Sequence, residues 1–262
     1  MLSAIILCIG PFIALPRTGA TVQEMFVEPV FGDVSPWLAT AVFFLLVMLL
    51  TIRESSVVDI IGKILTPALV LGLLILIATG FISPLGKISD THMMDNVVVA
   101  GINSGYQTMD VLAAMIFGII IVKNVMEKGY TETHAKYRIT RNASLVAAGA
   151  LLVIYCGLTF LGATVSSTYN LRINRSELLL NITGGLLGHA GVIILGVIVA
   201  LACLTTAVAL VSASANYFSS LSKGKLKYKL LVVLICIFSA VVSNFGLDKI
   251  VSLASPVLSL VY

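Results

Sequence analysis

The sequence predicts an all-α fold, a polytopic set of membrane-crossing helices, on three observations. Hydrophobic residues make up 59% of the 262 and charged residues 11%, where an ordinary soluble domain carries about 25% charged residues. Mean hydropathy is +1.09, and apolar runs long enough to cross roughly 30 Å of hydrocarbon as helix recur along the chain. One of those runs is interrupted by Asn103-Ser104-Gly105-Tyr106-Gln107-Thr108-Met109-Asp110. Polar groups and a carboxylate are expensive inside lipid, and a Gly-containing break there is the sequence sign of a discontinuous spanning helix. The alternating segments of a membrane barrel do not occur.

Taken in order, the apolar runs are 2–15, 37–52, 60–82, the interrupted 97–122, 143–165, 191–211, 230–242 and 250–262. The first leads into Pro16-Arg17-Thr18-Gly19-Ala20-Thr21, and the third has Pro67 near its start and Pro84 just after it. Together they predict one transmembrane domain over 1–262. The opening on an apolar run and the stop inside the last one predict a fragment or a truncated frame. Residues 1–20 lack the basic leader of a secretory signal peptide, so they read as a span.

The connections test this layout. Arg53 and Lys63, then Lys123, Lys128, Lys136, Arg138 and Arg141, then Lys223, Lys225, Lys227 and Lys229 hold most of the 16 basic residues. The alternate connections hold Arg17, Lys87, Arg172, Arg175 and Lys249 together with Glu24, Glu28, Asp33, Asp90, Asp95, Glu177 and Asp248. By the positive-inside rule the segments 53–63, 123–141 and 223–229 are cytoplasmic, and the first span runs outward. The net charge of +4 is therefore an orientation signal and carries no implication of nucleic acid.

Cys8, Cys156, Cys203 and Cys236 all fall in apolar runs without a Cys-x-x-Cys pair, which reads as small core residues with neither disulfide nor metal. His92, His134 and His189 never share a face at ligand spacing. A protease is disfavoured on the same grounds: Asp110 is the one carboxylate placed at depth, and no span holds a central histidine. A single asymmetric break also fits a carrier better than a channel.

Three places carry polar groups inside the spans. In the interrupted run, Asp110 lies roughly 20 Å from the edge marked by Lys123, at about 1.5 Å per residue, past the midpoint of the core. Thr108 suits the N-cap of the inner half-helix, with Asp110 in its first turn. Asp110 then has two readings, a helix cap or a contact to a cation or substrate ammonium, and both stay open. Ser104, Gly105 and Tyr106 read as cavity lining, because unwound backbone at depth is tolerated only there or inside protein. Met109, Val111, Leu112 and Met115 are candidate liners of an apolar pocket, or simply helix packing. The second place is Ala202-Cys203-Leu204-Thr205-Thr206. Its hydroxyls can bond one turn back, or with a carbonyl supply the hard oxygens a small cation takes. On spacing alone the first account is favoured. The third is Arg17, which either snorkels to the outer interface or faces the cavity to meet Asp110 or a substrate carboxylate.

Four runs, Ile9-Gly10-Pro11-Phe12-Ile13-Ala14-Leu15-Pro16-Arg17-Thr18, Gly105-Tyr106-Gln107-Thr108-Met109-Asp110, Ala202-Cys203-Leu204-Thr205-Thr206-Ala207-Val208 and Val242-Ser243-Asn244-Phe245-Gly246-Leu247, resemble the bacterial branched-chain amino acid:cation symporter family, the LIV-II carriers. The resemblance covers nearly the whole chain. It implies uptake of leucine, isoleucine or valine with sodium or protons, in the bacterial inner membrane and without a cofactor, on an inverted-repeat core of the amino acid-polyamine-cation type. It implies that 1–83 holds the last three spans of the first repeat and 97–262 the second repeat, with the chain beginning at the third family span and stopping within the tenth. It assigns Ala202, Thr205 and Thr206 to cation binding, which turns the preference at that segment toward the ion. It assigns Ser104, Gly105, Tyr106, Thr108, Met109 and Asp110 to the amino acid pocket, with Arg17 beside them. The alternatives are an inactive truncated carrier and a carrier of this fold for another small amino acid.

Overall fold

In the computed structural model the described residues are 10–52, 57–88, 96–108, 110–130, 132–167, 173–222 and 225–261. They form helices and turns, with no strand among them. The helical segments are α1 (10–31), α2 (Pro36–Ile52), α3 (Val57–Ile82), α4 (Val97–Tyr106), α5 (Asp110–Glu127), α6 (Thr133–Thr164), α7 (Arg175–Leu221), α8 (Tyr228–Ser243) and α9 (Leu247–Val261). This is the all-α membrane architecture that the composition predicts.

α1 departs from the expected layout. The Pro16-Arg17-Thr18 segment lies inside a continuous helix and not at the exit of a span, because Pro16 falls in the first turn of Leu15–Val22, where its missing N–H is tolerated. Two π-helical turns, Gly10–Ala14 and Gln23–Val27, flank that stretch. Such turns rotate the following side chains relative to a regular α-helix and are common at functional sites. α6 and α7 also extend well beyond the apolar runs 143–165 and 191–211 that mark them in sequence.

Among the described residues two helices, Thr133–Thr164 and Arg175–Leu221, are individually long and apolar enough to cross a membrane. Two bent pairs raise this to four if each counts as one span, Phe12–Phe31 with Pro36–Ile52 at 116° and Tyr228–Ser243 with Leu247–Pro256 at 108°. A bend beyond a right angle at a break of a few residues is the geometry of a broken span or a re-entrant loop.

The packing centres on α7. Its C-terminal half contributes Ala207, Val208, Leu210, Val211 and Ala215 to a core completed by Leu15 and Val22 of α1, Phe43, Phe44 and Val47 of α2, and Leu231, Val232 and Cys236 of α8. Its N-terminal half sends Ile182 into a second core with Leu76 and Ile77 of α3 and Leu161 of α6. Between the halves Gly188 has φ 69° and ψ −172°, a conformation open essentially to glycine alone. That bend lets one helix serve two cores. α1 and α7 approach so closely that a Cβ on Gly196 would stand 2.7 Å from the Met25 carbonyl oxygen.

Glu24 ties these elements together. Its Oε2 accepts from the Ser176 hydroxyl at 2.6 Å and its Oε1 from the Leu247 N–H at 2.9 Å. A carboxylate is thus held at the N-terminal turns of α7 and α9, where the helix dipoles favour negative charge. Arg175 and Asp248, one from each of those turns, approach to 3.7 Å, but both are well exposed and add little.

Candidate functional site

The interruption predicted in the fourth apolar run is present, between the end of α4 at Tyr106 and the start of α5 at Asp110. Polar side chains satisfy the backbone freed there. The Thr108 hydroxyl donates to the Gly105 carbonyl at 2.7 Å, and the Ser104 hydroxyl donates one turn back to Ala100 at 2.9 Å. Thr108 therefore closes the C-terminal end of α4. This differs from its expected place as N-cap of α5, because its hydroxyl turns back toward the carbonyls that α4 leaves open. Asp110 does occupy the first turn of α5, where the macrodipole favours it.

Three elements converge on this break. From α1, the Arg17 guanidinium donates through Nη1 to the Gln107 carbonyl oxygen at 3.1 Å. From α9, Ser255 Oγ lies 3.4 Å from Gln107 Nε2, which donates to it. From α6, the Tyr155 hydroxyl donates to Asp110 Oδ2 at 2.5 Å. A cation and a carboxylate are thereby set on either side of unwound backbone inside an apolar region.

The structure brings Arg17, Thr108 and Asp110 into one cluster. Arg17 reaches the break, donating to the Gln107 carbonyl. Gly105 and Tyr106 lie on the exposed face of α4, Tyr106 at 44%, and Ser104 is exposed beside them. Met109 lies outside the described residues, as do the side chains of Val111, Leu112 and Met115.

The second set, Ala202, Thr205 and Thr206, stands on α7. Thr205 is half-buried and its hydroxyl donates to the Ala202 carbonyl at 2.9 Å, while Thr206 is exposed on the same helix. The three oxygens share one stripe of the helix, at spacings of three and four residues. The Thr205 bond is the backbone-satisfying contact expected on spacing alone, and it leaves that hydroxyl's lone pairs as acceptors. No group of three or more His, Cys, Asp or Glu side chains suited to a metal occurs among the described residues.

Tyr155 is the contact to the break that reading the sequence missed. The signal was a phenol in the middle of Leu151-Leu152-Val153-Ile154-Tyr155-Cys156, indistinguishable from packing until α6 is placed beside the break. Ser255 and the Gln107 carbonyl were missed for the same reason.

The profile described as Branched-chain amino acid transport protein matches residues 1–262. The chain belongs to this family. Among curated relatives, the branched-chain amino acid permease BrnQ of Bacillus subtilis is 34% identical over 262 residues, covering 98% of this chain and 59% of the relative. The permease BraB of the same organism is 35% identical over 263 residues. A branched-chain amino acid transport system 2 carrier protein of Pseudomonas aeruginosa is 36% identical over 259 residues, again 59% of its length. This family member thus spans about three-fifths of the length of the relatives it matches. The relatives bear the names of permeases and carriers, and none of these names denotes an enzyme. No solved structure matches the chain.

Proposed function

We propose that the chain contributes a wall of the substrate pathway in a secondary carrier that brings branched-chain amino acids into the cell with a cation, sodium as the first choice and a proton as the second. The observation that carries this reading, within the family, is the interrupted span with Arg17 bonded to the Gln107 carbonyl at 3.1 Å and Asp110 opening the next half-helix. Residues 1–83 and 97–262 are read as parts of two inverted repeats, with the basic segments 53–63, 123–141 and 223–229 on the cytoplasmic side.

In this reading the substrate lies across residues 104–110. Its carboxylate meets Arg17, a planar donor set suited to two parallel hydrogen bonds. Its ammonium faces Asp110 and the carbonyls of the break. The cation is held by the Ala202 carbonyl and the hydroxyls of Thr205 and Thr206, with remaining ligands from elsewhere in the carrier or from water. Binding of both favours one orientation of the broken helices, and rocking of one repeat against the other opens the opposite side.

The test is leucine uptake at varied sodium, in cells carrying this chain and, in parallel, in cells carrying the longer Bacillus subtilis permease with the matching residues replaced. Thr205→Ala together with Thr206→Ala is expected to weaken the sodium dependence of leucine uptake about tenfold or more, the effect of losing two oxygen ligands. Sodium dependence unchanged in the double variant sinks the ion assignment. Uptake by the longer permease with none by this chain supports the reading of an inactive portion. Competition by an unrelated small amino acid in preference to leucine supports the other alternative.

A further inference from the structure

One side chain at the break has no part in the reading above. Tyr155 comes from an otherwise apolar stretch of α6, yet its hydroxyl turns to the interruption and donates to Asp110 Oδ2 at 2.5 Å. A hydroxyl-to-carboxylate bond of this length is charge-assisted, among the stronger bonds available to a side chain. On the α1 side Arg17 holds the Gln107 carbonyl. The interruption is therefore fastened twice, from α1 at the end of α4 and from α6 at the start of α5.

The two fastenings differ chemically. Arg17 brings a charge that a substrate carboxylate can claim. Tyr155 brings a neutral donor that occupies one of the two carboxylate oxygens and adds no charge, so it orients Asp110 while leaving its negative charge intact.

We propose that Tyr155 is a positioning residue of the candidate site, holding Asp110 so that α4 and α5 keep the relative orientation in which the break receives an amino acid. This rests on the amino acid reading of the break, and the experiment separates the two.

The chain is expressed in membranes with its four native cysteines replaced by alanine and Gly105→Cys as a reporter, since Gly105 faces open space. The maleimide labelling rate of position 105 is measured in the parent, Tyr155→Phe, Asp110→Ala and double backgrounds. Leucine KM and Vmax are measured with Gly105 intact. Each single substitution is expected to shift the labelling rate by about tenfold, the size of one hydrogen bond to a charged group. The double should shift it no further, because both remove the same bond. Tyr155→Phe is expected to raise the leucine KM by a similar factor with Vmax little changed. An unmoved labelling rate in Tyr155→Phe, or single effects that multiply in the double, overturns the tether. A shifted rate with an unmoved KM overturns the link to substrate. Absence of leucine uptake both by the parent and by the longer Bacillus subtilis permease carrying the same cysteine replacements, with the labelling pattern as expected, overturns the amino acid reading while the tether stands.

Discussion

Arg17 shows how one side-chain direction decides between readings that composition leaves equal. As an isolated arginine after a proline it suits an interfacial anchor, and as a charge inside a span it suits a binding site. Its bond to the Gln107 carbonyl directs it to the break. Arg17→Gln is therefore expected to raise the leucine KM by about tenfold or more, the loss associated with a hydrogen bond to a charged group. Arg17→Lys should recover only part of it, because a lysine restores charge without the planar pair of donors. Equal uptake kinetics in parent, Gln and Lys variants would return the residue to an anchoring role. Asp110 and the threonines at 205 and 206 were visible in sequence because carboxylates and adjacent hydroxyls are unusual inside apolar runs. Tyr155 was not, because a tyrosine is at home among apolar neighbours and only its hydroxyl's partner distinguishes it.

Helical elements were legible to different degrees for definite reasons. The break at 107–109 could be read from residue types alone, since several polar residues in a row cannot continue a lipid-facing helix cheaply. The continuation of α1 through Pro16 to Phe31 could not, because its two π-helical turns depend on packing against α7 and leave no periodic mark. The bend at Gly188 was equally hidden among the other glycines of α7. Its φ of 69° makes it testable: Gly188→Ala is expected to destabilise the protein by about 1–3 kcal/mol, the cost of forcing a side chain into that region. Gly184→Ala, at a helical glycine where a Cβ would meet only Val192 Cγ2 at 3.6 Å, should be neutral or slightly stabilising. Thermal denaturation in detergent measures both. Equal midpoints for the two variants would show that the bend does not require glycine.

The whole molecule is organised by α7, which shares one core with α1, α2 and α8 and another with α3 and α6. Single cysteines placed in 53–63, 123–141 and 223–229 are expected to resist an impermeant maleimide added outside intact cells and to react after permeabilisation. Labelling from outside at any of the three would reverse the proposed orientation. Class and the site of the helix break follow from local chemistry: the free energy of placing each residue type in lipid depends on that residue and its near neighbours. Tertiary packing settled the rest. Which helix Arg17 reaches, which hydroxyl meets Asp110, and how Glu24 spans the starts of α7 and α9 are contacts between residues dozens to hundreds of positions apart. Each exists because whole helices pack at particular rotations, and those rotations are set here by π-helical turns, a glycine bend and close backbone approach, none of which a hydropathy pattern encodes.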